Sequence, residues 1–193
     1  MSRIDEGAGP SSSNHGNSCH GNSGPGGHQT TTVSGRSYIY TKLSEVKVNT
    51  TVNILGAVKF FKPPFRSRGT DYCLVLKLVD PSVPTLEEGL KCLFFAKEES
   101  LLPQIRRVGD IVRILRLKVE DFRGAPQGKK GPGFSSLVFN GQLGAPTEPR
   151  ADTDNYTFEN QDEEKVLELR RWVSRTPELN GTTRRRLTRR RGQ

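Results

Sequence analysis

The stretch "TVNILGAVKFFK" (residues 51–62) decides the fold. Val52, Ile54, Val58 and Phe60 recur at the two-residue period of a half-buried strand, and twelve residues make it a long one. Gly56 interrupts the run, as expected of a bulge or a sharp bend. Pro63 and Pro64 are expected to end the strand, because proline cannot donate to a sheet ladder. The strand's far end is unusual: Phe60, Phe61 and Phe65 stand beside Lys62, Arg66 and Arg68. A core strand has no use for those arginines, and a solvated loop has none for those rings.

Working outward, further strands are predicted over "DYCLVLKLVD" (71–80), "LKCLFFA" (90–96), "DIVRILRLKVEDF" (110–122) and "FSSLVFNGQL" (134–143). In the fourth, Ile111, Arg113, Leu115, Leu117 and Val119 are expected on one face. "EESLLPQIRRVGD" (98–110) has room for one helical turn before Pro103. "PSVPTLEEG" (81–89) and "RGAPQGKKGPG" (123–133) read as loops. Five strands, a short helical piece between the third and fourth, and long loops after the first and fourth fit a small all-β barrel of the OB type. A sandwich fragment or an SH3-like barrel competes; the long first strand with its internal glycine favours the OB-fold barrel. "NYTFENQDEEKVLELRRWVSR" (155–175) predicts a C-terminal α-helix, acidic at its start and basic at its end, with Val166, Leu169, Trp172 and Val173 on the face that packs on the barrel.

The chain thus divides into a Gly/Ser-rich head (1–37), an OB domain (38–150), the helix (151–175) and an Arg-rich tail (176–193). The head holds eight Gly and eight Ser and almost no aliphatic residue, too little to offset chain entropy by burial, so both tails are expected to be disordered. The tail's "RRRLTRRR" (184–191) suits a nuclear import signal or a nucleic-acid tether, or is a feature of a shortened form without a function of its own. Net charge is +9. Residues 38–150 carry 18 basic against 11 acidic groups, residues 151–175 carry 4 against 7, and residues 176–193 carry 6 against 1. Such a surplus favours polyanionic partners, nucleic acid first.

Several function classes drop out. No apolar run has the length of a membrane span and the N-terminus lacks a secretory signal, so a soluble intracellular protein without membrane contact is expected. Three widely spaced cysteines make no disulfide framework; Cys73 and Cys92 read as small core residues. All three histidines lie in the head, where His15, Cys19, His20 and His28 match no compact zinc spacing, so no metal or cofactor is expected. With no histidine in the folded part, and no CxxC, P-loop or GxGxxG, an enzyme is not the first reading. The pairs Glu87/Glu88, Glu98/Glu99 and Glu120/Asp121 read as solvated surface groups.

Unpaired bases are what want rings and cations side by side. Aromatic side chains stack on bases, Lys and Arg neutralise phosphates, and Gly, Thr and Asp in loops reach base edges. "FFKPPFRSRGTD" holds all three kinds, and "RGAPQGKKGPG" adds a basic, glycine-rich loop. Adjacent strand residues face opposite ways, so one of Phe60 and Phe61, and one of Phe94 and Phe95, is expected in the core. Of Arg113 and Arg116, one is expected to line a groove and the other to be solvated.

"YIYTKL" (38–43), "VKFFKPPFRSRGTDYC" (58–73), "GDIVRILRLKV" (109–119) and "LGAPTEPR" (143–150) closely resemble the first OB domain of the vertebrate protection-of-telomeres family, over roughly residues 38–175. The alpha subunit of the ciliate telomere end-binding protein is a more distant relative. The resemblance implies sequence-specific binding of single-stranded, G-rich telomeric DNA (TTAGGG repeats), protection of chromosome ends, regulation of telomerase access, and a nuclear, telomeric location. It implies stacking by Phe60 and Phe95, with Phe65 and Phe122 also at the interface. It further implies contacts from Lys62, Arg68, Gly69, Thr70, Asp71, Leu93, Arg116 and Gln127. Phe65 and Phe122 stand where family members often have Tyr, and Pro132 where Ser is common; each change removes a hydroxyl. The family's second OB domain and its shelterin-binding C-terminal region do not fit in 193 residues, so a fragment, short isoform or partial gene product with weaker binding is expected. A generic single-strand or RNA-binding OB domain, and a protein-interaction OB module with its phenylalanines in the core, are the alternatives.

Overall fold

The structure, a computed structural model, describes residues 38–151 and 156–181. The head, most of the Arg-rich tail and the His15/Cys19/His20/His28 group lie outside the described residues. The elements are β1 (Thr50–Arg66), β2 (Tyr72–Val79), β3 (Leu90–Ala96), β4 (Ile111–Phe122), β5 (Ala125–Phe139), the two-residue β6 (Arg150–Ala151) and α1 (Asn160–Arg175). They form one sheet in the order β3-β2-β1-β4-β5-β6, and a parallel pairing of β3 with β5 closes the first five into a barrel. Closure occurs at Cys92 opposite Gly128. A Cβ on Gly128 would stand 2.6 Å from the Cys92 sulfur, so only glycine admits the approach.

The barrel interior is filled by Ile54, Val58, Leu74, Leu76, Leu78, Cys92, Phe94, Val112, Ile114, Leu117, Val119 and Val138. Each such side chain contributes about 1.5–3 kcal/mol by leaving water. A second cluster joins the outer side of β1, β4 and β5 (Leu55, Ile111, Leu137, Phe139) to Val166 and Leu169 of α1. This explains why residues 54–58 are buried without interruption: β1 is covered from both sides there.

Four local expectations change. β1 does not stop at Pro63-Pro64; a register shift between Lys62 and Phe65 absorbs the two prolines, and pairing resumes at Phe65 and Arg66. Gly56 is not a bulge. It pairs in register with Val112, and its missing Cβ admits the Val79 carbonyl oxygen, which would lie 3.1 Å from it; the bulges lie instead between Val52 and Ile54 and between Val58 and Phe60. Residues 123–133 are not a loop. Arg123 (φ 58°) and Gly124 (φ 81°) make a two-residue turn, and β4 and β5 run on as a projecting hairpin down to Phe122 opposite Ala125. In β4, Arg116 sits at a left-handed bulge (φ 55°), so the face switches: Ile111 packs under α1, whereas Leu117 and Val119 enter the barrel.

Arg113 is neither in a groove nor solvated. Its guanidinium is buried, 2.7 Å from the Asp162 carboxylate of α1, and donates to the Thr157 carbonyl at 2.6 Å. Asp162 also accepts from the Tyr40 hydroxyl and from the Glu159 N–H at the helix start (3.1 Å). Burial, and after it this hydrogen bond, push the Tyr40 hydroxyl pKa upward. Arg170 of α1 donates to the carbonyls of Asn140, Ala145 and Pro146 at 2.8, 2.7 and 2.7 Å. Arg113 and Arg170 therefore fasten the helix to the barrel.

Candidate nucleic-acid interface

Cross-strand partners on one face of a sheet stand side by side. On the outside of β1, β2 and β3 the register makes three rows: Phe60–Lys77–Lys91, Lys62–Val75–Leu93 and Phe65–Cys73–Phe95. The intervening residues Leu74, Leu76, Cys92 and Phe94 point into the barrel. The paired phenylalanines thus divide as alternation requires. Phe60 (54% exposed) and Phe95 (45% exposed) face out, while Phe94 is fully buried and Phe61 packs on the core. An interaction module with all of these rings in its core does not match this arrangement.

Phe60 and Phe95 occupy opposite corners of the patch, two strands and four residues apart, or roughly 17 Å at ordinary strand spacings. They cannot serve the same base; each defines its own stacking position. Between them lie Lys62 and Leu93. The Lys62 ammonium sits 3.8 Å from the centre of the Phe65 ring. Cys73 lies between Phe65 and Phe95 and is itself buried, which pushes its thiol pKa upward despite the nearby Lys62 charge.

Residues 67–71 form the tip of the β1–β2 hairpin. The Ser67 N–H donates to the Asp71 carbonyl at 2.9 Å, the Arg66 guanidinium to the Thr70 carbonyl at 3.5 Å, and the Thr70 hydroxyl to the Asp71 carboxylate at 3.3 Å. Arg68, Gly69 and Thr70 are exposed there. On the other flank Arg116 is fixed twice: its N–H donates to the Asn53 side-chain oxygen (3.0 Å) and its Nε to the Pro132 carbonyl (2.9 Å). Pro132 therefore still holds Arg116 through its carbonyl. Phe122, at the tip of the β4–β5 hairpin, is 46% exposed, with the Arg123 guanidinium 5.3 Å from its ring centre. Gln127 continues the Phe60–Lys77–Lys91 row but is covered, with 4% exposed.

The positive charges are not equivalent. Glu120 binds Lys129 at 2.5 Å and Lys118 at 2.9 Å. Hydrogen bonds from Lys129 and then Lys118 hold its carboxyl down at about 2. Lys77 lies 3.5 Å from Glu87. Among the described residues Lys62, Lys91, Arg68 and Arg116 form no ion pair with a carboxylate, so their charge is available to an anionic ligand. Lys91 was missed by reasoning from the sequence. The signal was present: Lys91, Leu93 and Phe95 alternate with the core residues Leu90, Cys92 and Phe94.

A closed five-stranded barrel with one C-terminal helix is an OB-fold, here with an aromatic, cationic outer face. The family described as "Telomeric single stranded DNA binding POT1/CDC13" matches residues 34–183, and the chain belongs to it. Protection of telomeres protein 1 of Gallus gallus is 44% identical over 144 residues, covering 75% of this chain and 18% of that protein. The Homo sapiens protein of the same name is 44% identical over 142 residues, covering 74% and 22%. The chain thus spans about a fifth of the length of these relatives. Among solved structures, fission yeast Pot1 with ssDNA superposes with a TM-score of 0.61 at 23% identity, covering 72% of this chain and 48% of that one. A Pot1 (protection of telomere)–ssDNA complex gives 0.60 at 24%, covering 73% and 89%; at these identities the likeness is one of fold.

Proposed function

We propose that this chain binds single-stranded, G-rich telomeric DNA (TTAGGG repeats) on the outer face of β1, β2 and β3. The observation that carries the reading is the pair of exposed rings, Phe60 and Phe95, at opposite corners of a face whose lysines and arginines are largely without carboxylate partners. Family membership and the telomere-protection names of the relatives support it. In this reading Phe60 and Phe95 stack on separate bases. Lys62, Arg68, Arg116 and Lys91 neutralise phosphates. Gly69, Thr70 and Asp71 at the hairpin tip read base edges. Leu93 supplies an apolar floor between the rings, and Phe65, Phe122 and Gln127 border it. Catalysis has no part in this function. Protection of chromosome ends, control of telomerase access, shelterin contacts and a nuclear, telomeric location are proposed at the level of the longer family proteins that this chain matches in part.

The test is fluorescence anisotropy of the chain with TTAGGG-repeat DNA, a base-shuffled control and the RNA of the same sequence, at two salt concentrations. The telomeric DNA is expected to bind best, with the salt slope counting phosphate contacts at about 0.7 each. Equal binding of all three would reduce the face to a generic single-strand platform and withdraw the base-reading roles.

A further inference from the structure

The bulge between Val58 and Phe60 leaves Lys59 unpaired in the β1–β2 ladder. Its effect is to turn β1 so that Lys59, Phe60 and Phe61 all border one cleft. This cleft, about 740 Å³, runs from the Phe60 ring to the turn after α1. That is ample for a nucleotide-sized ligand, since small-molecule sites occupy about 300–1,000 Å³. Its other walls include Arg106, Leu143 and Glu178. Leu143, 58% exposed, puts an accessible apolar side chain on the same wall as Arg106. Lys59 and Arg106 form no ion pair or side-chain hydrogen bond among the described residues, and the one carboxylate on the wall, Glu178, forms no ion pair with either. An apolar surface carrying two uncompensated cations, continuous with a ring already assigned to base stacking, has the composition of the main face on a smaller scale.

We infer that this cleft is an additional nucleotide subsite, taking one flanking nucleotide of the single strand that leaves the Phe60 ring. Phe60 is the hinge of the arrangement: one side faces the β1–β2–β3 patch and the other the cleft. The base lies against Phe60 and Leu143, and the adjoining phosphate is met by Lys59 and Arg106. The inference rests on the proposed single-strand binding and extends it beyond the residues assigned there.

The experiment uses the full chain and a telomeric oligonucleotide trimmed to the shortest length that keeps its affinity for an Arg106→Ala, Leu143→Ala double variant. That oligonucleotide is then lengthened by single thymidines at its 5′ or its 3′ end. Both substituted side chains are exposed, and melting temperatures verify that folding is intact. For the unsubstituted chain, lengthening at one end only tightens binding about tenfold, the value of one stacked base, and steepens the salt slope by about 0.7 for the added phosphate contact. The double variant loses both gains while binding the short oligonucleotide within about twofold. Binding of the short oligonucleotide with no gain at either end overturns the inference alone. A double variant weakened equally on short and long oligonucleotides also overturns it, because the residues then act as general surface charge. Failure of every oligonucleotide to bind overturns the single-strand reading and this subsite with it.

Discussion

Single side chains separate binding from stability on this barrel. Phe60 and Phe95 stand half in solvent, so Phe60→Ala and Phe95→Ala should leave stability within about 0.5 kcal/mol of the original. Each should weaken telomeric DNA binding by about 1–3 kcal/mol, the worth of a stacked base. Their neighbour Phe94 is fully buried, and Phe94→Ala should cost about 3–5 kcal/mol of stability through the cavity it leaves. Denaturant melts and anisotropy on the three variants check the division. The assignment comes from alternation alone once one ring of each pair is known to be inside. The sequence could say that the members of each pair point opposite ways, but not which one points in, because that depends on the bulge at Lys59 and on which neighbours β1 and β3 acquire.

At the scale of elements, the β4–β5 hairpin carries a charge clasp in which one carboxylate holds two ammonium groups. Glu120 holds Lys118 and Lys129 together, and its carboxyl titrates at about 2 instead of the ordinary 4.5. A depressed carboxylate pKa contributes stability that is present above the ordinary value and lost as pH falls through the depressed one. The clasp should therefore survive at pH 3 and open only near pH 2, which a carboxyl NMR titration of Glu120 would register. Glu120→Gln should release both ammonium groups to an anionic ligand and steepen the salt dependence of DNA binding, by up to about 1.4 if both meet phosphates. Strand positions were legible in the sequence because their apolar period is strong: β3 falls where "LKCLFFA" places it. The hairpin was not. Glycines, prolines and lysines in "RGAPQGKKGPG" carry turn chemistry locally, but partners in β4 supply a ladder that overrides it. Pro63 and Pro64 misled for a related reason, since a bulge lets the strand pass through them. Of the candidate site, the residues on β1 and its hairpin tip were legible as a cluster, whereas Lys91 gained its place only from the register of β3 against β2.

For the whole molecule, the buried pair Arg113–Asp162 ties the helix to the barrel across 49 positions of sequence. Removing one partner strands the other as an uncompensated buried charge, so Arg113→Ala should cost about 3–5 kcal/mol of stability. Its affinity for telomeric DNA, measured where the variant is still folded, should be unchanged, because Arg113 is held by Thr157 and Asp162 and by no residue of the Phe60, Lys62 and Phe65 rows. Chemical denaturation combined with anisotropy at low temperature separates the two effects. Helix and barrel face thus divide the labour, one completing the fold and the other presenting the rings and cations. The most direct test of that division is a ¹⁵N–¹H correlation titration of the chain with a TTAGGG-repeat oligonucleotide. Backbone amide shifts are expected to concentrate at Lys62, the 67–71 tip, Lys91, Leu93 and Phe95, with Val166, Leu169 and Arg170 of α1 unmoved. Shifts centred on α1, with the β1–β2–β3 face silent, would contradict it.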